Sequence, residues 1–128
     1  MSPLDRTLEG DVLVHHLALD KLTIDQALVA RSGRSARTLV KEGPLRLTLM
    51  GIAAGGDMPV HRTPGPVSIH VLDGDVVIDA LGHDYPLATG DILVVAPGVE
   101  HSVRSTHGGL LLLTVVHADL PGTTPARA

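Results

Sequence analysis

The chain has 128 residues, ten basic and fourteen acidic, with a net charge of −4, no cysteine, and a single tyrosine as its only aromatic residue. That length suits one domain rather than two, and the acidic balance with no aromatic platform argues against a nucleic-acid surface. The absence of cysteine excludes disulfides and thiolate zinc sites. No apolar run approaches the roughly 20 residues of a membrane span, and residues 1–10 show no secretory pattern. No nucleic-acid or membrane partner is therefore expected, and the cytoplasm is the expected compartment.

The core must be built from Val, Leu, Ile, Ala and Met. Such residues suit pleated sheets, and 14 glycines and 9 prolines supply turns, so the composition reads as all-β. Residues 1–36 read as an N-terminal segment, in which 11-DVLVHHL-17 could form a short strand. In 22-LTIDQALVARSG-33, Thr23 and Gln26 have capping-box spacing and Leu22 can staple onto Ala27. Ile24, Ala27 and Leu28 share a face and Gly33 is a natural stop, which predicts a short helix over about 24–32.

From residue 37 the pattern is strand after strand: 37–41, 45–52, 59–63, 67–72, 76–81, 84–87, 92–96, 101–105 and 110–117. Eight or nine short strands at near-regular spacing read as a sandwich or barrel over 37–117. Gly55-Gly56-Asp57 and Gly108-Gly109 read as hairpin turns. The Pro- and Thr-rich stretch 118–128 reads as a loose tail.

Two segments carry chemistry. In the first, Gly55 is followed after five residues by His61, then by Thr63, Val67 and, six residues on, Gly74. The second is 90-GDILVVAPGVEHSVRS-105, with Gly90-Asp91, an apolar strand, the turn Pro97-Gly98 and His101. Together they resemble the two signature motifs of the cupin superfamily, in the small single-domain, RmlC-like form. The resemblance implies an all-β, cupin-type double-stranded β-helix, or jelly-roll barrel, with a short N-terminal helix. The family's metal ligands are two histidines and a glutamate of the first motif and a histidine of the second. Carried over by position, they become His61, Thr63, Val67 and His101. Two of the four are ligand types, whereas divalent transition metals want three or four N, O or S donors. The first motif is therefore degenerate.

His70 is the candidate replacement, and strand parity decides whether it reaches. If Gly65-Pro66 alone form a hairpin loop, His61 opposes His70. If Pro64-Gly65-Pro66 form it, Thr63 opposes Val67 and His70 points away. The apolar set Val67, Ile69 and Val71 favours the second register. The expected pocket residues are then His61, Thr63, Val67, Ile69, His101 and Val103. His107 and His117 are further candidate third ligands, and Glu100 and Asp57 candidate proton-transfer groups that read more simply as solvated turn residues.

Three readings follow. The first is a cupin that binds a small molecule in an aliphatic pocket, with a regulatory role and without a strong metal site. The second is a metal-dependent oxygenase or isomerase holding Fe, Mn, Ni or Zn through His61, His101 and a third histidine. The third is a dimeric interaction module. The strand 110-LLLLTVVH-117 is apolar on both faces and must be covered on both, so a homodimer is expected.

Overall fold

The computed structural model describes residues 14–117. It contains eight strands and one short α-helix, curled into the two facing sheets of a jelly-roll barrel. Residues 11–13 of the suggested N-terminal strand and the tail 118–128 lie outside the described residues, and residues 14–17 form no strand. A 3-10 turn at Leu19–Lys21 leads to helix α1 (Gln26–Ser32). The cap differs from the expected Thr23: Asp25 Oδ1 accepts from the amides of Ala27 and Leu28 at 3.0 and 3.1 Å. Asp is as good an N-cap as Thr, and helical backbone begins only after it. Gly33 ends the helix at φ 85°, its amide donating to the Val29 carbonyl, as expected of a left-handed C-terminal glycine.

The strands are β1 (Arg34–Glu42), β2 (Leu45–Ile52), β3 (Asp57–His61), β4 (Val67–Ala80), β5 (His83–Ala88), β6 (Ile92–Val95), β7 (His101–Arg104) and β8 (Gly109–Val116). One sheet runs β1-β2-β8-β4-β6 and the other β5-β4-β7-β3, all antiparallel. Strand β4 belongs to both. Its first half, Val67–His70, lies between β6 and β8, and its second half, Val77–Ala80, between β5 and β7. The two strands expected at 67–72 and 76–81 are therefore one. Asp73-Gly74 looks like a turn in sequence, but the chain passes through it with a register shift and a left-handed Gly74 at φ 79°. A bulge of this kind bends a strand without ending it.

Gly55-Gly56 and Gly108-Gly109 were expected to close hairpins, and they do not. Each carries the chain from one sheet to the other, β2 to β3 and β7 to β8. Gly55 and Gly56 are tied to Ser105 by two backbone hydrogen bonds, Gly55 N–H to Ser105 O at 2.8 Å and Ser105 N–H to Gly56 O at 3.1 Å.

Alternation sorts the side chains into two apolar layers. Between the sheets lie Ile52, Val67, Ile69, Val71, Val76, Ile78, Val103 and Leu111, all buried. On the outside of the first sheet a second cluster joins Leu39, Val40 and Leu49 to Leu22, with Leu17, Ile24, Leu72, Leu110 and Leu112 packed against it. The N-terminal segment thus covers part of the outer face of β8, which explains why that strand is apolar on both sides.

Candidate functional site

The two motif histidines meet at one mouth of the barrel. His61 ends β3 and His101 opens β7, and the two are direct register partners. Simple alternation from Met58 would put His61 on the opposite face. Three residues of β3 from Met58 to His61 span only two of β7 from Val103 to His101. This bulge turns His61 back toward His101. It sits on β3, which among the described strands pairs with β7 alone and also carries Pro59, a residue confined to edges and bulges.

The ring centroids lie 4.2 Å apart with the planes tilted by 59°. His101 is 3% exposed and His61 half-buried. Both rings are anchored in the same way. His61 Nδ1 lies 3.0 Å from the Pro59 carbonyl and His101 Nδ1 3.0 Å from the Val99 carbonyl. A carbonyl oxygen only accepts, so each Nδ1 carries the proton and donates it. In the neutral rings both Nε2 atoms are therefore left as acceptors. Burial holds His101 below the ordinary histidine pKa; the Val99 hydrogen bond opposes this in part, and the neighbouring His61 adds to it. A buried base without a carboxylate partner is disfavoured in its charged form, so His101 is neutral at pH 7.

The other expected pocket residues are placed as follows. Val67, Ile69 and Val103 are core side chains beneath the mouth, between 1% and 4% exposed. Thr63 lies in the loop 62–66, and its hydroxyl donates to the Gly65 carbonyl at 2.7 Å. That loop is not a hairpin of either expected length. Strand β3 pairs with β7 and not with β4, so neither His61 nor Thr63 has a register partner on β4. His70 is paired with Ile92 and Leu112 in the other sheet, on the face opposite to the buried Val67, Ile69 and Val71. His107 pairs with Asp75 at 3.1 Å. Asp75 lies five residues before Ala80, the partner of His101 on β4, or roughly 17 Å along the strand. His117 follows β8, its amide donating to the Pro44 carbonyl at 2.7 Å. Among the described residues no group of three or more His, Cys, Asp or Glu side chains could hold a metal ion.

The candidate proton-transfer groups also stay away from the pair. Glu100 forms an exposed ion pair with Arg62 at 3.2 Å. Asp57 lies at the other end of β3, exposed and in register with Arg104. One residue that the sequence pattern left unassigned does reach the interior near the mouth. Tyr85 on β5 pairs with Ile78 and packs against the inner core. Its position, two before the buried Leu87 on the same strand, was the signal for it.

A comparison of the sequence with protein families matches residues 48–117 to the cupin domain. The chain is a cupin. Among curated proteins none matches it. Among solved structures, it is similar to a conserved protein of unknown function from Streptococcus pyogenes. That pair shares 24% identity over 87% of this chain and 94% of the other, with a TM-score of 0.68. An RmlC-like cupin from Shewanella frigidimarina shares 24% identity over 68% and 78% of the two chains, at a TM-score of 0.64. A salicylate 1,2-dioxygenase from Pseudaminobacter salicylatoxidans shares 18% identity over 71% of this chain and 30% of the other, also at 0.64. These likenesses establish the fold; function rests on the site.

For a cupin the mouth is the place to test for a metal. The donors present are two imidazole Nε2 atoms. Orienting a ring through Nδ1 to a carbonyl is how metal-binding histidines are held, but a catalytic zinc site takes three protein ligands and a structural one four. Val67 offers no donor, and the Thr63 hydroxyl proton is committed to Gly65 O. Two imidazoles do not make a closed metal site here. Among the described residues no helix is long and apolar enough to cross a membrane.

Proposed function

We propose that this cupin binds a small organic molecule at the barrel mouth, in a binding or regulatory role, through His61 and His101. The observation that carries the reading is the matched anchoring of the two rings. Each Nδ1 donates to a backbone carbonyl two residues before it, which leaves two adjacent Nε2 acceptors above an aliphatic floor. Such a site suits a molecule with hydroxyl or ammonium donors and an apolar body, because two imidazole acceptors favour a donor between them. Carboxylates are disfavoured beside His101, which burial holds neutral, so that its Nε2 offers them no proton. A metal-dependent reaction would need a third donor, and none of His70, His107 or His117 forms a cluster with the pair. We also propose that the protein works as a homodimer in the cytoplasm.

The test is a thermal-shift screen of small polyols, amino alcohols and carboxylates, run beside His61→Ala and His101→Ala. The expected result is stabilisation by one of the donor-bearing classes that both variants lose. Stoichiometric metal in the purified protein that both substitutions remove would overturn the metal-independent reading.

A further inference from the structure

The two binding histidines belong to a longer row. Across the second sheet His61 on β3 is in register with His101 on β7, His101 with Ala80 on β4, and Ala80 with His83 on β5. Directly paired residues share a face of the sheet. His101 and Ala80 are buried, so this is the inner face, and His83 stands on it at the exposed rim. A ring contact agrees. His83 meets Tyr85 edge-on, with centroids 6.3 Å apart and planes inclined by 61°, and Tyr85 packs against the inner core. Among the described residues the His83 imidazole has no hydrogen-bond or ion-pair partner.

Ala80, 7% exposed, is the one side chain between His83 and His101 in the row. Two strand spacings set those backbones about 10 Å apart, and a methyl group does not reach the level of the imidazole nitrogens. The row does not close on an ion: among the described residues no three such side chains could hold a metal. The opposite wall is aliphatic. Loops 62–66 and 96–100 join His61 to Val67 and Val95 to His101, which puts both valines at this end of the barrel. Val67 is in register with Val95 and with Val115. The charged neighbours lie off the row. Asp79 and Asp84 point outward by alternation, Asp84 pairs with Arg104, and Arg62 pairs with Glu100.

We infer that His83 is a second anchor of the mouth, and that the ligand there is a two-ended molecule reaching over Ala80 from the His61–His101 pair to His83. This rests on the binding role proposed above and adds a contact and a length. Two strand spacings less a hydrogen bond at each end leave about 4 Å between the ligand's polar atoms. A 1,3- or 1,4-diol or amino alcohol has that reach, with its carbons toward Tyr85 and the valines. The two ends are not equivalent. At the pair, backbone carbonyls hold the Nδ1 protons and the Nε2 atoms accept, so that end is a hydroxyl or ammonium donor. A neutral imidazole at His83 both donates and accepts, and a hydroxyl, which does both, suits the far end.

The full-length protein is titrated with straight-chain diols from ethane-1,2-diol to hexane-1,6-diol, and with propan-1-ol as a single-ended probe. Binding is followed by the nitrogen-15 signals of the imidazoles. Tightest binding is expected from propane-1,3-diol or butane-1,4-diol, with the His61, His101 and His83 signals all moving. His83→Ala is expected to weaken that diol at least about fivefold, the worth of one hydrogen bond, and to leave propan-1-ol unchanged. His83→Gln keeps a donor and an acceptor and is expected to recover most of the loss. His83 is exposed, and an unaltered melting temperature confirms that His83→Ala folds. Diols that move the His61 and His101 signals without preference for length, or equally well in His83→Ala, would overturn the second anchor while leaving the histidine pair as the binding site. No movement of the His61 and His101 signals with any probe would overturn the pair itself, and the second anchor with it.

Discussion

Gly74→Ala is expected to be among the most damaging single-methyl additions to this barrel. Gly74 stands where β4 leaves one sheet for the other, at φ 79°. A Cβ there would lie 2.2 Å from the Gly108 carbonyl oxygen and 3.0 Å from the Gly109 Cα, both backbone atoms. That carbonyl also accepts the Asp75 amide at 3.3 Å. Two costs add. A non-glycine residue in the left-handed region costs about 1–2 kcal/mol, and the clash forces the β4 bend and the 108–109 crossover apart by roughly 1 Å. A total of about 4 kcal/mol lies in the range reached only by named structural breaks. At about 4–8 °C per kcal/mol for a domain near this size, the melting temperature is expected to fall by at least about 15 °C. Gly82→Ala supplies the control. Gly82 has φ 76° in the two-residue turn between β4 and β5, with nothing within 4 Å of its absent Cβ. It bears the backbone cost alone, about 4–16 °C by the same conversion and half or less of the loss expected for Gly74→Ala. Thermal unfolding of both variants by circular dichroism decides the matter. Equal losses, or a larger loss for Gly82→Ala, would refute the claim that close packing of the two crossovers fixes the β4 bend.

Further outcomes are expected of the same protein. Because His101 has a lowered pKa in the fold, the unfolded chain binds its proton first as pH falls, and stability falls with it. The loss begins near the ordinary value of about 6.5 and levels off below the folded pKa; His101→Gln is expected to flatten that part of a urea-denaturation pH profile, and an unchanged slope would contradict it. Asp25→Ala removes the oxygen that accepts two amides of α1 and is expected to cost about 1 kcal/mol in urea denaturation. Leu49→Ala, in the cluster beneath the N-terminal segment and fully buried, is expected to cost about 2–5 kcal/mol; a loss below 1 kcal/mol would mean that segment is not docked.

Much of this architecture was legible in local pattern. The alternation of 45-LRLTLMGI-52 gave β2 with its observed bounds, and the glycine and proline punctuation marked most other strand ends. Parity along 67–71 separated the buried Val67, Ile69 and Val71 from Ser68 and His70. What local pattern lacks is which strands pair. A hairpin between the His61 strand and the next one is the ordinary expectation, since neighbours in sequence are usually neighbours in space. A jelly roll breaks that rule at each crossover between sheets, so β3 pairs with β7, forty residues on. The same limitation hid the β3 bulge that turns His61 inward, and it made the bend at Asp73-Gly74 look like the end of a strand. The helix cap was lost to a different competition: Thr23 and Asp25 both suit the position, and only the backbone tells which stands at the first helical turn.

With both Nδ1 protons held by backbone carbonyls, His61 and His101 turn two Nε2 acceptors to the barrel mouth. Nitrogen-15 NMR of the imidazoles near pH 7.5 tests it most directly, with resonances assigned through His61→Gln and His101→Gln. Both rings are expected as the Nδ1–H tautomer, with both Nε2 signals moving together when a hydroxyl- or amine-bearing ligand binds. An Nε2–H tautomer on either ring, or a bound ligand that moves neither Nε2, would contradict it.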